Sequence, residues 1–151
     1  MIKEIEKVLK NISKYEAKIS DIELEIADLK DLHSISISGI NYDNLVKTNS
    51  LISKTELQAI KDMEIERTIE ILEYEKRHIE RLLIRIDNAI SSLSDIEKQI
   101  IQMKCLDNKI WRFITFEVGL EERQCRQIKR KALEKISHVI NLEDIVKFNE
   151  M

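Results

Sequence analysis

The sequence predicts an all-α protein, a long N-terminal helical hairpin or coiled coil followed by a C-terminal helix-turn-helix. Three observations lead there. The 151 residues contain two glycines and no proline, whereas all-β folds need turn after turn rich in both. Charged residues make up 35% of the chain and aromatics 5%, a balance typical of long helices and coiled coils. Apolar residues also recur at three- and four-residue steps over long stretches, the mark of one buried helix face. With glycine so scarce, no glycine-rich loop exists to cradle a nucleotide.

The first element covers residues 3–32. Ile5, Val8, Ile12, Tyr15, Ile19, Ile22, Ile26 and Leu29 alternate steps of three and four, which predicts a left-handed coiled-coil seam on one helix of about 28 residues. Serine, asparagine, aspartate and Gly39 then cluster over 33–52, and this reads as the turn of the hairpin. A second helix from about Ser53 to Ser91 carries Ile65, Ile69, Leu72, Lys76, Ile79, Leu83, Ile86, Ile90 and Leu93 at the same spacing. Lys76 intrudes at a core position. It either sets register or extends its amine to the helix edge, the second being the simpler reading.

Ser94 and Glu97 have the form of a capping box opening a helix of about ten residues. Asp107 or Asn108 is placed to cap a further short helix bearing Ile110, Trp111, Ile114 and Val118, and Gly119 falls where a helix end needs a left-handed residue. Trp111 shares a face with Ile114 and Val118, which favours core packing over stacking on a base. A basic last helix runs to about Ile136. On it Cys125, Ile128, Ala132, Leu133 and Ile136 form the packing side. The tail 141–151 has the apolar content for a short docking helix. The predicted organisation is thus 1–92, a helical hairpin or coiled-coil module; 93–140, the helix-turn-helix module; and 141–151, the tail.

Charge is uneven. The formal net charge is -3, yet residues 123–135 hold six Lys and Arg against Glu134 alone. Such a block on an acidic chain points to an anionic partner. Lys and Arg neutralise phosphates, and Arg or Gln can bond bidentately to guanine or adenine edges. The predicted DNA-binding residues are Arg123, Gln124, Arg126, Gln127, Lys129, Arg130 and Lys131, with Lys109 and Arg112 as phosphate contacts from the preceding helix.

Other chemistry is not expected. The carboxylates alternate with lysines as helical ion pairs do. His33, His78 and His138 are scattered without metal spacing. Cys105 and Cys125 form no paired motif and read as small core residues. No enzyme activity, metal or cofactor is expected. No apolar run approaches a membrane span and no signal segment is visible, so the expected location is cytoplasmic, without membrane contact.

The stretch Arg126-Gln127-Ile128-Lys129-Arg130-Lys131-Ala132-Leu133-Glu134-Lys135-Ile136 resembles the end of region 4 of sigma-70-type factors. Asp95 to Ile101, Trp111 to Ile114 and Val118-Gly119-Leu120 resemble the rest of that region, about 45 residues in all. A long helical module ahead of it resembles the phage late-gene transcriptional regulators of the RinA and ArpU type. The chain departs from the region 4 pattern in having Glu121-Glu122 where a Ser or Thr cap is usual, Arg123 where a Glu often reads the promoter, and Thr115 where an Ala is usual. No counterpart of the regions that bind the −10 element is present. The resemblance implies a regulator of phage or prophage late-gene expression that binds double-stranded DNA, with RNA polymerase as a further partner and self-association through the coiled coil. Two alternatives remain open: a DNA-packaging protein of the small-terminase kind, and a coiled-coil adaptor without DNA binding.

Overall fold

The computed structural model describes residues 2–38, 48–140 and 143. Among them every regular element is helical and no strand occurs, so the fold class is all-α. The elements are α1 (Ile2–Lys10), α2 (Ile12–Ser38), α3 (Thr48–Ser91), α4 (Asp95–Ile101), a π-helical turn (Gln102–Leu106), α5 (Trp111–Val118) and α6 (Glu122–Val139). The central part of the predicted hairpin turn, 39–47, and the tail helix over 141–151, Glu143 apart, lie outside the described residues.

Several boundaries differ from the sequence expectation. The first helix is divided at Asn11, whose side chain donates to the Lys7 carbonyl at 2.9 Å and whose N–H bonds back to Val8 at 3.1 Å. An asparagine that satisfies a nearby carbonyl competes with the helical ladder. Conversely, helix extends into the expected loop, from His33 to Ser38 and from Thr48 onward. Serine and isoleucine cost only about half a kcal/mol each in a helix already nucleated. Finally, α5 opens on Ile110 without a side-chain cap. Asp107 and Asn108 shape the preceding turn instead, Asn108 at φ 52°, a left-handed conformation that asparagine tolerates.

The chain forms two compact units, one of residues 17–79 and one joining 1–16 to 80–151. In the first, Ile22, Ile26, Leu72 and Ile79 are buried. Glu23 lies 3.1 Å from Lys76 and His33 3.5 Å from Asp62, so partner numbers fall along α3 as they rise along α2 and the two stretches run antiparallel. Lys76 is half-buried, its amine at the edge against Glu23. This is the reach to the edge expected of a long amphipathic side chain.

The second unit holds the larger core. Ile5, Val8 and Leu9 of α1, Leu82, Ile86, Ala89 and Leu93 around the end of α3, and Ile100, Ile101, Cys105, Ile114, Cys125, Ala132, Leu133, Ile136 and Ile140 are all buried. α1 packs on α6 and on the π-helical turn, and α4 and α5 pack on the same two elements. Leu82 and Ala89 are buried where the heptad pattern expected Leu83 and Ile90, which are half-buried. This end of α3 belongs to the second unit, whose core covers a different side of the helix from the line packed on α2.

Candidate nucleic-acid interface

The scaffold of the candidate interface is set by its caps. The Ser94 hydroxyl accepts from the Glu97 N–H at 3.4 Å and starts α4. Its reciprocal partner is missing, because the Glu97 carboxylate bonds Lys135 at 2.6 Å instead. α5 ends at Gly119, φ 75°, whose N–H bonds Thr115 at 2.9 Å. A residue with a Cβ would be strained there, although nothing would clash with it. α6 opens with a capping box made without Ser or Thr. The Glu121 carboxylate accepts from the Gln124 N–H, and the Gln124 side-chain oxygen accepts from the Glu121 N–H at 3.3 Å.

These caps fix which way α6 faces. Cys125, Ala132, Leu133 and Ile136 point into the core. Ile100, Ile114 and Cys125 form a buried cluster against which Trp111, Val118, Leu120 and Ile128 pack. At about 100° per residue, Arg123, Gln127, Arg130 and Lys131 then fall on the opposite side, and all four are exposed. Arg123, Gln127 and Lys131 make no ion pair or hydrogen bond through their side chains among the described residues. Arg130 has a loose contact, 3.5 Å to Glu134.

Three other sequence-predicted residues on α6 are engaged elsewhere. Gln124 belongs to the capping box. Arg126 donates to Glu122 at 2.6 and 3.0 Å, and its guanidinium stands 5.3 Å from the Trp111 ring centre. Lys129 is mostly buried and bonds Glu6 of α1 at 2.7 Å. Burial alone would raise the Glu6 carboxyl. The Lys129 hydrogen bond and charge, with Lys10 behind them, outweigh burial and hold it below its ordinary value. On α5, Arg112 is exposed, and the exposed Lys109 lies 5.4 Å from the Phe113 ring centre.

Lys104, which the sequence did not single out, stands 5.0 Å from the Trp111 ring centre and donates to the Lys109 carbonyl at 3.2 Å. With Arg126 and Lys129 it surrounds that ring with three cations. Trp111 is half-buried against the core cluster. Its ring thus serves packing and steadies positive charge. No local pattern marks Lys104, since its neighbours on the surface come from α5 and α6.

Cys105 and Cys125 are free and buried. Burial pushes the Cys105 thiol up to about 11 and raises that of Cys125. Among the described residues no group of three or more His, Cys, Asp or Glu is placed to hold a metal ion, and no helix is long and apolar enough to cross a membrane. What the surface offers chemically is a row of cations and one amide on a rigid helix, suited to phosphates and base edges. No family model, no curated protein and no solved structure matches the chain.

Proposed function

We propose that the protein is a DNA-binding transcriptional regulator of phage or prophage late genes, with α5, the Gly119 turn and α6 acting as a sigma-region-4-like helix-turn-helix. It acts in the cytoplasm of a bacterial host, without cofactor or catalysis. One observation supports the reading most directly: Arg123, Gln127, Arg130 and Lys131 line the outer face of a helix whose inner face is locked into a core. A helix about 10–12 Å wide fits a major groove about 12 Å wide. Arg123, Gln127 and Arg130 follow one another at i, i+4 and i+7, so they rise together along the groove over about 10 Å, some three base-pair steps.

In this reading Arg123 and Gln127 read bases, while Arg130, Lys131, Lys109 and Arg112 hold phosphates. Arg126, Lys129 and Gln124 position the helix and do not read. RNA polymerase is the protein partner that the resemblance adds. The test is fluorescence anisotropy on duplex fragments from the gene's own genomic neighbourhood. Binding to one fragment well above the rest, lost on replacing Arg123 and Gln127 together, supports the reading. No binding by the intact chain at low salt refutes it and leaves the adaptor. Binding by a ring-shaped high-order assembly favours the packaging protein.

A further inference from the structure

The antiparallel stretches of α2 and α3 bury one line of α3, through Leu72 and Ile79. They leave a second apolar line outside. Leu57, Ile60, Met63, Ile71 and Tyr74 are 54, 52, 64, 60 and 66% exposed. Scattered apolar residues on a surface mean little, but these are ordered. From Leu57 the steps to Ile60, Glu64, Arg67, Ile71 and Tyr74 alternate three and four, so the residues form one stripe, with Met63 at its edge. The stripe is turned about 120° from the line packed on α2. Three- and four-residue alternation on a face left exposed among the described residues is the pattern of a second helix-packing seam.

The centre of this stripe is charged. Glu64 and Arg67 interrupt it, both exposed and neither in an ion pair among the described residues. The arrangement is self-complementary in one orientation. An antiparallel second copy, with its two-fold axis beside Ile65 and Glu66, sets Ile60 against the partner's Ile71 and Leu57 against the partner's Tyr74. It also sets Glu64 against the partner's Arg67, and each contact occurs twice, as an isologous interface requires. An in-register parallel copy would instead place Arg67 on Arg67 and Glu64 on Glu64, and like charges in a seam oppose association.

We propose that this face of α3 is the site at which a second copy of the chain docks antiparallel, the crossed Glu64–Arg67 pairs fixing the register. The inference stands apart from the DNA reading, since a dimer on this face is expected whether or not α6 binds DNA. Sedimentation equilibrium on the full chain tests it. The wild type is expected to dimerise, and Ile60→Asp with Ile71→Asp to be monomeric at unchanged helicity by circular dichroism. Glu64→Arg and Arg67→Glu should each weaken the dimer at least about tenfold, since each sets two like-charge pairs in the interface. The two reversals combined should restore it, because they swap the partners without removing them. If the aspartate variant loses helicity, the charge series decides. A monomeric wild type, or a double reversal no tighter than the single ones, overturns the proposal.

Discussion

Residues 17–79 hold two helical stretches together along one line, Ile22, Ile26, Leu72 and Ile79, with Glu23–Lys76 and His33–Asp62 at its edge. The unit of 1–16 and 80–151 closes short helices around a core with contributions from α1, α3, α4, the π-helical turn, α5 and α6. Helices of seven or eight residues are not stable alone. They exist here because caps, a left-handed glycine and a many-sided core hold them. The long stretches need less, since their length carries the helix. The unit with the candidate interface therefore depends more on each contact, and the outward side chains of α6 are placed by that dependence.

The largest expected effect tests that difference in the core. Leu133→Ala should cost about 2–5 kcal/mol in urea denaturation, and Leu72→Ala should fall at the lower end of that range, because a two-helix line can relax into its cavity more easily. Equal losses at the two sites would break the comparison. Next comes the link between α1 and α6. Lys129→Met should cost about 1–3 kcal/mol by leaving half-buried Glu6 only the looser cation Lys10, 3.4 Å away, while the exposed Lys131→Met should change stability by under about 0.5 kcal/mol.

Acid sharpens the same contrast. The Glu6 pKa is lowered in the fold. Its stabilising contribution is therefore present above the ordinary glutamate value, about 4.3, and lost as pH falls through the lower folded value. Wild-type stability should drop more between about pH 5 and pH 3 than that of Lys129→Met, which lacks the pair. Parallel acid profiles would remove Glu6–Lys129 as a stabilising contact. The smallest stability effect is expected at the surface, where the proposed DNA binding supplies the readout. Lys131→Ala should leave the melting curve in place and reduce the salt slope of DNA binding by about one unit. Lys129→Ala corrected for its folding loss should leave that slope unchanged.

Much of this was legible in the sequence where the signal lies within a turn or two of helix. The absence of proline, the Ser94 cap, the left-handed Gly119 and the buried line of Cys125, Ala132, Leu133 and Ile136 were all readable locally. The break at Asn11 was less so, because three-and-four spacing continues across it and only a side-chain hydrogen bond to Lys7 marks it. Glu121 was not legible as a cap by residue type, and Gln124 three residues on was the available clue.

The sequence by itself determined the all-α class, the placing of two long helical stretches ahead of the short α4 and α5, and which side of α6 packs inward. Each follows from backbone propensity and from a periodicity that repeats every few residues. Only the tertiary structure decided which cations on α6 remain outside. Lys129 and Lys131 are the same residue type two positions apart, yet Lys129 meets Glu6, 123 residues away in sequence, and Lys131 meets solvent. Tertiary structure likewise decided that α1 joins the core of the short helices and that Leu82 and Ala89 displace Leu83 and Ile90 from the buried face. The reason is common to all three. Helix periodicity says that a face is apolar or charged, but which neighbour covers it depends on chain segments brought together from far apart, and no pattern along one helix encodes that.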